Sequence, residues 1–178
     1  MGKEERPLGL ESAGAMNDWE QQLNALLPLF GHRNWIVVAD SAYPAQSRPG
    51  IETIVAGGEQ IDVVGKVWSA IAACSHVRAN VYADKEIAFV AASDAPGIGE
   101  YRKHLDDMLK GARLSYAPHE EIIAKLDKAA EVFRILIIKT AMTIPYTSVF
   151  FELDCGYWSA EAEERLRWAV GAAQPDKK

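Results

Sequence analysis

Residues 35–40 read Trp-Ile-Val-Val-Ala-Asp, an apolar run that stops on an aspartate. Successive side chains of a strand point to opposite faces, so a strand without a polar position is covered on both. A sheet hidden on both faces needs packed layers above and below it. The run therefore points to an α/β protein. It puts Asp40 at the C-terminal end of a buried strand, where open sheets of this class bind ligands. His32 stands at the other end of the same strand, in the turn Gly31-His32-Arg33-Asn34. A second apolar strand, residues 149–153, follows Pro145-Tyr146-Thr147-Ser148.

The rest of the chain alternates between helical and extended patterns. Trp19, Leu23, Leu26, Leu27 and Phe30 fall on one face of a helix, with Asn17 or Asp18 placed to cap it and Gly31 to end it. Ile61, Val64, Val67, Trp68, Ile71 and Ala72 mark a second helix, and Tyr101, Leu105, Met108 and Leu109 a third. Pro118 opens a fourth, with Glu120 and Glu121 at its positive end. Ser159 caps a fifth. Residues 51–56, 77–83, 87–92, 112–116 and 133–138 read as further strands. This alternation predicts a single-domain layered α/β fold, with a mostly parallel sheet flanked by helices. The expected organisation is a flexible arm over 1–16, a domain over 17–158, and a C-terminal helix and tail over 159–178.

The formal net charge of −6, from 19 basic and 25 acidic residues, argues against a nucleic-acid partner, which needs clustered Lys and Arg. No stretch approaches the ~20 apolar residues that span a bilayer, and the first thirty lack the apolar core of a signal peptide. The expectation is a cytoplasmic protein without a membrane partner. Cys74, in a helical pattern, and Cys155, just after a strand, read as reduced, buried or half-buried thiols without a basic activator. Gly97-Ile98-Gly99 lacks the third glycine of a dinucleotide fingerprint, and there is no phosphate-binding loop. His32, Asp40 and His119 could form a facial metal triad, but no spacing enforces one, so no metal is expected.

Four residues have both a chemical and a purely structural reading. His32 can move protons near neutral pH, or cap a helix end. Asp40 can bind hydroxyls or hold an imidazole, or close an Asx-turn. His119, at a helix N-terminus, is favoured as the neutral imidazole, or is an exposed first-turn residue. Tyr146 offers a hydroxyl and an apolar ring, or is a packed aromatic. In an extended segment Ser148 would share its side with Tyr146. His76 and His104 read as surface residues.

In order and context, these segments resemble the D-ribose pyranase and L-fucose mutarotase family (RbsD/FucU). Gly31-His32, the apolar strand ending on Asp40, and the loop Tyr43-Pro44-Ala45 carry the likeness near the start. Tyr116-Ala117-Pro118-His119-Glu120 is similar to the family's His-Glu segment, and Tyr146-Thr147-Ser148 to its Tyr-x-Asn. The likeness runs from about residue 17 to 155.

The resemblance implies a cofactor-free isomerase acting on a free monosaccharide, a ribose-like, fucose-like or related aldose. Mutarotation opens a cyclic hemiacetal and closes it again. A base takes the anomeric proton while an acid protonates the ring oxygen, with no metal, nucleotide or covalent intermediate. The catalytic residues implied are His32, Asp40 and Tyr146, and the substrate-binding residues His119, Ser148 and Lys128. Family members form ring-shaped homo-oligomers, often decamers, with pockets near subunit contacts. The aromatic content agrees: Trp19, Trp68, Trp158, Trp168, Phe150 and Phe151 exceed what one small domain readily hides.

The chain departs from the family pattern in three places. Ser148 replaces an asparagine, and Thr140-Ala141-Met142 replaces a Thr-Gly-Glu or Ser-Gly-Glu. The stretch from His119 to Lys139 is about one helical turn longer. Aligned from its far end, that helix puts Lys128 near the fucose branch's basic residue. These differences keep a second reading open, a non-catalytic sugar-binding or regulatory oligomer. A metal-dependent lyase or hydrolase ranks third.

Overall fold

A computed structural model describes residues 18–172 of the 178. The expected arm, residues 1–16, lies outside them. The elements are α1 (Asp18–Leu26), β1 (Trp35–Ala39), β2 (Ile51–Val55), α2 (Gln60–Ala72), β3 (Val77–Asp84), α3 (Ile98–Met108), β4 (Arg113–Ala117), α4 (His119–Ala129), β5 (Ile135–Lys139), β6 (Val149–Cys155) and α5 (Ala160–Ala172).

The six strands form one sheet in the order β2-β5-β1-β6-β3-β4. Five strands run the same way. Only β6 is antiparallel, to both β1 and β3. Apolar content sets each strand's place. β1 is buried at every position, β5 at all but its last, and the first three residues of β6 are buried. Such strands belong between layers. The mixed sequences of β2 and β4 leave them at the edges.

Alternation along the strands builds two cores. Ile36, Val38, Val81, Leu136, Ile138 and Phe151 face α1, α2 and α3. Trp35, Val37, Ile135, Ile137 and Phe150 face α4. α5 buries none of its residues.

Four local expectations change. Residues 87–92 are not a strand. β3 runs on to Asp84, and Lys85–Phe89 coil into a 3₁₀ turn. The carbonyls of Ile87 and Ala88 accept from Arg102 Nη1 at 3.1 and 2.9 Å instead of joining a ladder. His76 is half-buried rather than a surface residue. Its Nε2 sits 3.2 Å from the Leu27 carbonyl oxygen and 3.1 Å from that of Phe30, at the end of the 3₁₀ turn that follows α1. The turn into β1 takes its left-handed residue at Arg33, φ 76°, not at Gly31. Tyr146 is also left-handed, φ 59°, in a turn with Pro145 ahead of β6, so Tyr146 and Ser148 do not share one side of an extended segment.

Candidate active site

Sheet register gathers the site. Val149, the first residue of β6, pairs with Val38 of β1 and with Ala83 of β3. Three polar residues just beyond those positions, Asp40, Ser148 and Asp84, therefore meet at one end of the sheet. The antiparallel strand brings its beginning to where its neighbours finish. The loop after β1, the start of α4 and residues 143–146 close over them. The cavity holds about 550 Å³ and is lined by Asp40, Tyr43, Gln46, Asp84, His119 and Tyr146 among others.

His119 is fixed from two sides. Its Nδ1 lies 3.0 Å from Asp84 Oδ1. Its backbone N–H donates to both Glu86 carboxylate oxygens at 3.1 Å. Pro118 has no side chain that can cap α4, so Glu86 supplies the negative charge that the helix N-terminus favours. The Asp84 contact selects the Nδ1–H tautomer of a neutral ring. Nε2 then makes no hydrogen bond among the described residues. The Tyr146 ring meets the His119 ring edge-on, 5.7 Å between centroids.

Asp84 is buried, with a side chain only 1% exposed, and its Oδ2 has no partner among the described residues. Burial pushes its carboxyl above the usual carboxylate range, against the opposing pull of the His119 hydrogen bond. Tyr43, also buried, is pushed up to about 12, first by burial and then by the charges of Asp127 and Asp84. Asp40 is held locally. Its Oδ1 accepts from Ala42 N at 2.9 Å, an Asx-turn, and its Oδ2 from Ser148 Oγ at 3.3 Å. Ser148 is 2% exposed and supports Asp40 from behind rather than lining the cavity.

Among the expected site residues, Asp40, His119 and Tyr146 line one cavity, with Ser148 behind them. His32 is not with them. It lies at the opposite end of β1, where its Nδ1 is 3.0 Å from Asp154 Oδ1 and its Nε2 accepts from Arg33 Nε at 3.2 Å. Arg78 holds the other Asp154 oxygen at 2.8 Å. Burial raises the Asp154 carboxyl, but Arg78 and the Cys155 N–H more than offset it, leaving it below its ordinary value. Lys128, in the last turn of α4, is exposed and does not line the cavity. Asp84 is the functional candidate that sequence reading missed. Like Asp40 it stands at the C-terminal end of a strand, but β3 alternates with Arg78 and Asn80, so no unbroken apolar run pointed to it.

Fold and site together define a layered α/β protein with a small-molecule cavity at its strand ends. The profile of the RbsD / FucU transport protein family matches residues 19–156, and the chain belongs to that family. Bacillus subtilis RbsD complexed with D-ribose is 20% identical, with a TM-score of 0.55 over 82% of this chain and 98% of that one. FucU from Bifidobacterium longum is 13% identical, with a TM-score of 0.50 over 75% and 94%. The fucose mutarotase from Streptococcus pneumoniae, in complex with L-fucose, is 18% identical, with a TM-score of 0.48 over 75% and 91%. At these identities the likeness is one of fold. No curated protein matches the sequence significantly. Among the described residues no helix is long and apolar enough to cross a membrane, and no three His, Cys, Asp or Glu side chains gather as a metal site.

Proposed function

We propose that the protein is a monosaccharide mutarotase or pyranase that opens and recloses the ring of a free aldose. The observation that carries this reading is the His119–Asp84 pair beside Tyr146 in one cavity. Ring opening needs a base and an acid on neighbouring oxygens of one small molecule, and these side chains supply both. His119 Nε2 takes the anomeric proton, while Asp84 steadies the imidazolium through Nδ1–H. The Tyr146 hydroxyl gives a proton to the ring oxygen as the C1–O bond breaks. Rotation about C1–C2 presents the other face of the aldehyde, and the two transfers run in reverse. Asp40 accepts from sugar hydroxyls. His32 serves as a further acid/base group, brought to the cavity by a neighbouring copy in a ring-shaped homo-oligomer. No cofactor enters this scheme. Family membership and a neighbour of the same fold complexed with D-ribose support the choice of a monosaccharide.

One observation favours the alternative, a sugar-binding oligomer without catalysis. Asp40, which the resemblance implies as catalytic, already accepts a hydrogen bond at each oxygen within the chain, from Ala42 N and Ser148 Oγ, and is held there as a fixed acceptor. Exchange NMR with a panel of aldoses separates the two. Accelerated anomer or ring-form exchange supports the enzyme. Saturation transfer to a sugar whose exchange stays at the spontaneous rate supports the binding protein. Neither effect with any aldose removes both.

A further inference from the structure

Tyr146 occupies a backbone conformation that tyrosine avoids. Pro145 and Tyr146 fill the two central places of a tight turn over residues 144–147. The second place, where φ is positive, usually goes to glycine. Here it holds a bulky side chain at φ 59°. A strained residue persists only where its surroundings over-determine it.

Those surroundings are a buried polar cluster. Thr147 Oγ1 donates to the Ile144 carbonyl at 2.8 Å and closes the turn. The Thr147 carbonyl accepts from Tyr101 Oη at 2.7 Å and also from Gln60 Nε2. Gln60 Nε2 donates to Tyr101 Oη at 3.2 Å. On its other side, Gln60 Oε1 accepts from Thr140 Oγ1 at 2.8 Å. One glutamine therefore ties both ends of the segment 140–147. Gln60 and Thr147 are 0% exposed, Thr140 4% and Tyr101 6%. Gln60 opens α2 and Tyr101 lies in the first turns of α3, helices that pack on the sheet face away from α4 and His119. Aliphatic side chains would fill such a space without needing partners. A complete hydrogen-bonded cluster there fixes one loop geometry instead.

We propose that Gln60 and Tyr101 are positioning residues, which hold Tyr146 in its strained conformation beside His119 and so set the acid group of the reaction. The kinetic part of this inference rests on the mutarotase reading. The conformational part does not.

Tyr101→Phe is the test, since it removes one hydroxyl and keeps the packing. Two measurements are made. The first is the NOE between the Tyr146 and His119 rings in the sugar-free protein, which weakens in the variant. The second is anomer exchange, compared in the native and Tyr146→Phe backgrounds. In the native background the rate falls roughly ten- to a hundredfold with KM little changed. In the Tyr146→Phe background the further loss stays below about twofold, because the two residues act as one unit. Equal losses in both backgrounds, or no loss in the native one, overturn the proposal, as does an unchanged NOE. Should Tyr101→Phe fail to fold, Gln60→Met keeps the side chain's length, removes the bonds to the Thr147 carbonyl and Thr140 Oγ1, and is read the same way. If the native protein exchanges no aldose, the mutarotase reading falls and the NOE alone decides the clamp.

Discussion

Asp84 sits in an environment that its chemistry disfavours. It is ionisable, buried, and short of one partner. Its carboxyl is raised above the ordinary value, so the folded state holds a proton that the unfolded chain releases. Between the unfolded and folded values the native state therefore binds more protons. Stability falls as pH rises through that window and stays lower above it. Asp84→Asn removes this burden and still offers an oxygen to His119 Nδ1–H. The variant melts higher than the native protein at pH 7, and the gain shrinks as pH falls toward 4. It also loses the charge that steadies the imidazolium, so exchange drops roughly 10²-fold. Melting curves across pH, read beside exchange rates, test both halves. A variant that melts lower at pH 7 would show that the ionised carboxyl is a net stabiliser, against this account.

At the scale of elements, the turn carrying Tyr146 is where local preference and fold disagree. Relieving the left-handed strain is expected to stabilise the protein while destroying the site. Tyr146→Gly should gain up to about 1 kcal/mol, read from chemical denaturation, and abolish assisted exchange. A destabilised variant would mean that ring packing outweighs the backbone strain. The C-terminal helix makes a different case. α5 buries none of its residues, and the family match ends at residue 156. A chain ending at Ser159 should melt within roughly 1–2 °C of the full chain. A larger drop would reveal a packing partner for α5.

The strands that were easiest to read in the sequence are those buried on both faces, because an unbroken apolar run has few other places to go. β1, β5 and β6 announced themselves that way. Residues 87–92 are as apolar, but Lys85–Phe89 coil into a 3₁₀ turn whose Ile87 and Ala88 carbonyls accept from Arg102, a partner remote in sequence that no local window shows. Asp40, His119 and Tyr146 were legible because each sits at an element end. Their convergence was not, because it depends on β6 running antiparallel between β1 and β3, a fact of pairing that no local window contains. The same pairing placed Asp84 in the site and left Ser148 behind it. The clamp of Gln60 and Tyr101 was hidden for the same reason, since its members lie on separate elements and meet only through the loop they hold.

For the whole molecule, the decisive fact is the distance between the two ends of β1. Five residues at about 3.3 Å each put His32 roughly 17 Å from Asp40 along the strand, so His32 cannot reach its own chain's cavity. Several large apolar side chains are also left in solvent. Leu29, Val55, Phe89, Val132 and Tyr157 are each at least 70% exposed. Burying them against copies of the chain would give the assembly its driving force. Light scattering should then report a multiple of 19.6 kDa. The sharper test is complementation. His32→Ala and His119→Ala should each lose roughly 10²–10⁴-fold in exchange when assembled alone. In a cavity that takes His119 from one copy and His32 from the next, a co-assembled mixture regenerates intact sites. Random 1:1 assembly leaves about a quarter of the cavities with both imidazoles, so about a quarter of the native rate should return. Recovery at that level would place His32 in the site across a subunit contact. A mixture shown by light scattering to co-assemble, yet no faster than its components, would take His32 out of the mechanism and leave ring opening to His119, Asp84 and Tyr146 of a single chain.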